Sequence, residues 1–90
     1  MHVVWTQSAI GDLTGIRQYI GQFNPYAAQR VAESLIAAAS GLTDFPERGR
    51  PVGPGKRELT VVWPYVIRHR IEGERVVILR VRHGRRRPLR

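Results

Sequence analysis

Ninety residues carry fifteen basic and seven acidic side chains, a formal net charge of +8, with 42% hydrophobic residues and no cysteine. That length admits one modest core and excludes a second domain; the apolar share excludes global disorder; the missing thiols exclude disulfides and thiolate metal sites. No apolar run approaches the about 18 residues of a membrane span, and "MHVVWTQSAI" lacks the basic start and long apolar stretch of a secretory leader, so one cytoplasmic domain over residues 1–90 is expected.

"HVVWT" is a short β-branched and aromatic run that predicts a first strand. Next, Ala9, Leu13, Ile16 and Ile20 recur at helical spacing and predict one buried helix face, with Ser8 as N-cap and Asp12 early in the helix, where negative charge is favourable. Gly11, Gly15 and Gly21 each weaken that helix by up to about 1 kcal/mol relative to alanine, and two of them offer room for close helix approach. The second helix carries clearer punctuation. Asn24 caps it, Pro25 sits in the first turn and Gly41 ends it; Ala28, Val31, Leu35 and Ala38 or Ala39 form its apolar stripe, and Leu42 and Phe45 are expected to close the core beyond it. The short "GQFN" link makes the two helices an antiparallel hairpin.

"PERGRPVGPGK" reads as a loop, after which the period changes to two. Leu59 and Val61, then Tyr65, Ile67, His69 and Ile71, then Val77, Leu79 and Val81 are expected to share one face, with a break or bulge at Pro64 and a turn around Gly73. The predicted fold is α+β in the order βααβββ, a helical hairpin packed on one face of a small, mainly antiparallel twisted sheet.

Charge is distributed unevenly along this plan. Residues 1–47 hold two basic and four acidic side chains, net −2, whereas residues 48–90 hold thirteen basic and three acidic, net +10. Such a field favours polyanions or an acidic protein partner, and fourteen of the fifteen bases are arginine, whose planar fork suits bidentate contacts. Alternation puts Arg68, Arg70, Arg80 and Arg82 on the face away from the helices, with Glu58 the one acid among them. A solvated sheet face explains any single arginine. Four together are less comfortable, because like charges opposite one another cost about 0.2–1 kcal/mol per pair. Residues 84–90 extend the basic character in a C-terminal segment containing Arg85 and Arg86.

No phosphate-cradling glycine motif, paired carboxylates or Ser/His/Asp arrangement is present, and His2, His69 and His83 lack ligand spacing, so no metal and no cofactor are expected. His69, between Ile67 and Ile71, reads as a hydrogen-bonded core residue. His83 falls on the helix side with Val81, a structural placement, although an imidazole could also act as general acid or base on a phosphodiester. Trp5 and Trp63, at strand positions, read as packing residues rather than base-stacking platforms.

Taken in order, "WTQSAIGDLTGIRQYI", "NPYAAQRV", "FPERGRPV", "KRELTV", "YVIRHRI" and "VVILRVRHGRRR" resemble the RelE/ParE superfamily of toxins from type II toxin–antitoxin modules. The resemblance implies a growth-inhibiting toxin, of the kind that stabilises plasmids, held inactive by a cognate antitoxin in a hetero-oligomer. It leaves two targets open. RelE-like members cut mRNA on the ribosome with basic sheet residues and a terminal tyrosine or histidine; ParE-like members poison DNA gyrase. Here Tyr65 is followed by Val66 where an RNase member usually has arginine, the positions of RelE's second-strand lysines fall near Glu58 and Thr60, neither of them basic, and "RRRPLR" has no terminal tyrosine, although Arg86 matches a basic position. The resemblance therefore implies a gyrase poison with no catalytic residue, the alternative being a ribosome-dependent endoribonuclease. On that reading Arg68, Arg70, Arg80, Arg82, His83, Arg85 and Arg86 contact the target. An acidic antitoxin, disordered until bound, lies over Leu13, Arg17, Arg68, Arg70 and Arg80.

Overall fold

The computed structural model describes residues 1–84. Arg85, Arg86 and the rest of the basic C-terminal segment lie outside the described residues. Strand β1 (His2–Trp5) leads into helix α1 (Gln7–Gly21), helix α2 (Pro25–Ser40) and a 3-10 turn (Gly41–Thr43); strands β2 (Arg50–Pro51), β3 (Lys56–Val62), β4 (Tyr65–Glu72) and β5 (Arg75–His83) follow. The sheet order is β1-β5-β4-β3-β2, all neighbours antiparallel except the parallel β1–β5 pair. The expected α+β layering is present, with one addition: the stretch read wholly as loop contains β2, whose two residues pair with Arg57 and Glu58.

Helix α1 starts one residue before the predicted cap. Thr6, not Ser8, caps it: Thr6 Oγ1 accepts from Ala9 N at 3.0 Å while the Thr6 hydroxyl lies within hydrogen-bond reach of the Ile78 and Leu79 carbonyls of β5, so the cap also ties helix to sheet. Ala9 is fully buried, and Leu13 and Ile16 pack against the core. Asn24 caps α2 through Ala27 N, with Pro25 opening the helix. Leu35, Ala39 and Leu42 have no exposed surface, and Ala32 joins the stripe unannounced. Phe45, expected in the core, is 64% exposed, because the chain turns away after the 3-10 turn. Of the three α1 glycines only Gly21 faces α2 closely, where an added Cβ would meet the Ala28 methyl at 3.9 Å; the Cβ positions of Gly11 and Gly15 are open.

The core-facing pairs between β4 and β5 are Tyr65–His83, Ile67–Val81, His69–Ile78 and Ile71–Val76. Strict alternation placed Val77 and Leu79 beside Val81. A bulge at Leu79 adds one residue to β5, so Val76 and Ile78 face the helices instead and Val77 stands across from Arg70. A second shift in β3, between Leu59 and Val62, leaves Val61 half exposed and turns Val62 toward the core. Pro64 breaks the run as expected: β3 ends at Val62, and Trp63-Pro64 form the turn into β4.

Candidate functional site

Three strands deliver arginines to one carboxylate on the open face of the sheet. Arg50 of β2 is paired with Glu58 of β3, which is paired in turn with Arg68 of β4; Arg82 of β5 reaches the same group from two strands away. Arg68 donates through Nε and Nη2 to Glu58 Oε2 at 3.0 and 2.6 Å. Arg82 Nη2 lies 3.7 Å from that oxygen, and Arg50 Nη2 lies 3.5 Å from Oε1. The Glu58 side chain is only 11% exposed, whereas Arg68 and Arg82 are about a third exposed and Arg50 mostly so. A shallow cleft beside the cluster is lined by Arg50, Glu58, Thr60, Val66, Arg82, His83 and Gly84.

The expected convergence of four guanidinium groups is therefore corrected. Arg68 and Arg82 meet, joined by Arg50, which sequence reasoning placed in a loop. Arg70 instead donates to Glu72 at 2.8 Å, and Glu72 also holds Arg75. Arg80 leaves the face altogether, reaching around the sheet edge to Asp12 of α1, where Nε and Nη2 donate at 2.8 and 3.1 Å. Asp12 also accepts from the Val81 backbone N–H at 2.9 Å. Burial by itself would raise the Asp12 carboxyl, but the Arg80 and Val81 hydrogen bonds, with the charges of Arg80 and Arg82, outweigh it and hold Asp12 below the usual carboxylate range.

The other expected contact residues are dispersed. His83 is core-facing as read, its ring edge-on to Tyr65 with centroids 5.5 Å apart, and it lines both the arginine cleft and an apolar groove formed with Gly15, Ile16, Tyr19 and Tyr65. Leu13 packs against the core, and Arg17 is exposed on α1 with no ion pair among the described residues. Trp5 packs on the core and Trp63 is 70% exposed in its turn.

His69 is the one polar residue buried among the described residues. Its Nε2 lies 3.0 Å from the Pro46 carbonyl, which can only accept, so Nε2 carries the proton. Nδ1 faces no hydrogen-bonding partner among the described residues. Burial pushes the imidazole below its ordinary value and the Arg57 charge adds to this, against the opposing pull of the Pro46 carbonyl. The residue is buried and hydrogen-bonded, as its place between Ile67 and Ile71 predicted, and its bond to Pro46 also ties the sheet to the start of the 46–55 loop. Among the described residues no group of histidine and acidic side chains could hold a metal ion, and no helix is long and apolar enough to cross a membrane.

Comparison with known proteins places this geometry among toxins. Residues 3–88 match the family model described as the ParE toxin of the type II toxin-antitoxin system parDE. The chain is 55% identical over 84 residues to Toxin RelE2 of Caulobacter vibrioides, covering 93% of this chain and 96% of that protein. It is 38% identical over 76 residues to Toxin RelE1 of the same organism, covering 81% and 82%. Among solved structures it resembles the chromosomal ParDE TA system from P. aeruginosa, with a TM-score of 0.85 and 28% identity over 92% of this chain and 95% of that one.

Proposed function

The chain belongs to the ParE toxin family of type II toxin–antitoxin systems, and from that premise we propose that it arrests growth by docking on DNA gyrase or the gyrase–DNA complex, without bond-breaking chemistry of its own. The observation that carries this reading is Glu58. A site that cuts RNA by electrostatic stabilisation needs positive groups aimed at an incoming phosphate. Here a carboxylate stands among them and takes the donors of Arg68. Thr60 and Val66 beside it add neither charge nor a proton carrier.

A second reading is kept by His83. It is among the residues that line the arginine cleft, while its ring sits edge-on to Tyr65, and an imidazole is able to act as general base on a 2′-hydroxyl. Inducing the toxin and comparing mapped mRNA 5′ ends with gyrase-linked DNA breaks and SOS induction separates the two. Gyrase-linked breaks without ribosome-phased cuts are expected; phased cuts without DNA damage overturn the gyrase reading.

Neutralisation follows from charge and exposed apolar surface. The cognate antitoxin is an acidic chain, disordered until bound, that lays apolar residues over the helical hairpin, where Ile10, Tyr19, Phe23 and Ile36 are all at least 46% exposed, and carboxylates near the arginines. The resemblance to a structure titled a ParDE TA system supports such a pairing.

A further inference from the structure

We propose that His69 and Arg57 form an acid-sensitive latch on the 46–55 loop: while His69 is neutral the loop stays closed over the end of the sheet, and protonation of His69 releases it, with strand β2, from an otherwise intact fold. The latch is built from one cross-strand pair. His69 of β4 stands opposite Arg57 of β3, so the two share a face of the sheet. His69 Nε2–H donates to the Pro46 carbonyl at 3.0 Å, and Arg57 Nη1 donates to the Gly49 carbonyl at 3.0 Å. Two neighbouring side chains thus hold one loop at two points.

This arrangement suits one cation and not two. His69 is fully buried and its Nδ1 has no hydrogen-bonding partner among the described residues, so a proton there creates a buried N–H without an acceptor. The new charge also faces Arg57. On the other side of β4 its partner is Ile78, whose side chain offers no polar group. The cleft between loop and sheet, about 240 Å³, is lined by Lys56, Arg57 and Arg70, with Glu47 the one acid among its walls. Burial and the Arg57 charge accordingly hold the imidazole below its ordinary value. Opening relieves both penalties and sacrifices little packing, because both residues of β2 and most of the loop are exposed. Its consequence reaches the open face of the sheet. Arg50 of β2 pairs with Glu58, so release withdraws Arg50 from that carboxylate and makes β3 the sheet edge.

Amide hydrogen exchange on the full chain between about pH 7 and 5, with protection factors corrected for intrinsic exchange, tests the latch. Val52 N–H, bonded to the Lys56 carbonyl, and Lys56 N–H, bonded to the Gly53 carbonyl, report on the loop; Leu35 in α2 reports on the core. Below about pH 6.5 the open form takes up the proton that the closed form rejects, so loop protection is expected to fall by up to about tenfold per pH unit. At about pH 5 it should lie about a hundredfold or more below that of Leu35. His69→Gln, whose amide can donate to Pro46 but does not titrate, should leave loop protection nearly flat over the same range. A flat loop profile in the wild-type chain, equal protection of loop and core, or a slope that survives H69Q overturns the proposal. If H69Q does not fold, the wild-type profile and its gap from Leu35 decide alone. Growth arrest is not the readout, so the latch stands or falls independently of the toxin's target.

Discussion

Beyond Ile78 the β5 backbone loses its parallel neighbour, because β1 ends at Trp5, and Asp12 supplies the missing acceptor through the Val81 N–H while clamping Arg80. Asp12→Asn should therefore destabilise the fold by about 1–2 kcal/mol, the modest end of a charged hydrogen bond because Arg80 is half exposed, and urea denaturation at neutral pH would show it. The carboxyl is depressed in the fold, so its contribution is present above the unfolded value of about 3.9 and is lost as pH falls through the folded one; wild type and Asp12→Asn should converge in strong acid. His69 has the opposite charge but a similar pH trend. Its folded value lies below the ordinary about 6.5, so in that window the unfolded chain holds a proton that the folded chain rejects, and stability falls on acidification below about pH 6.5. His69→Leu should flatten that slope in denaturation curves taken between about pH 5 and 7. The location of His69 was legible from its apolar neighbours two residues either side. The partner of Asp12 was not, since nothing local in the sequence links residue 12 to residue 80.

At the scale of elements, periodicity recovered both helices, while single inserted residues defeated it in the strands. The bulge at Leu79 exchanges the faces of Val77 and Ile78, and neither residue differs enough from the other in size or polarity for composition to reveal the switch. Strand β2 escaped for a related reason: two residues among prolines and glycines carry no period. Its placement depends on Gly49, which holds φ +96°, where a Cβ would lie 2.6 Å from the Glu58 carbonyl oxygen. Gly49→Ala should cost about 1–3 kcal/mol and displace Arg50 from Glu58, detectable as a lowered Tm with altered Arg50 side-chain resonances. In contrast, Gly11→Ala adds a methyl in open space on α1 and should stabilise the protein by up to about 1 kcal/mol in the same measurement.

For the whole molecule, the net charge of +8 is less available than the arginine count implies, since six arginines are tied to Asp12, Glu58 or Glu72. The basic second half was plain in the sequence; the internal pairing that tempers it was not, because it depends on which strands meet. Affinity for an acidic antitoxin should still weaken as salt is raised from about 0.05 to 0.5 M, as screening shortens the reach of the remaining charge; titration calorimetry with a flat salt response would count against electrostatic docking. The strand order has a temporal consequence too. Since β5 lies between β1 and β4 and is the last of the strands to leave the ribosome, β1 has no hydrogen-bonding neighbour until synthesis has passed residue 75, so a nascent chain shorter than that cannot assemble the complete sheet.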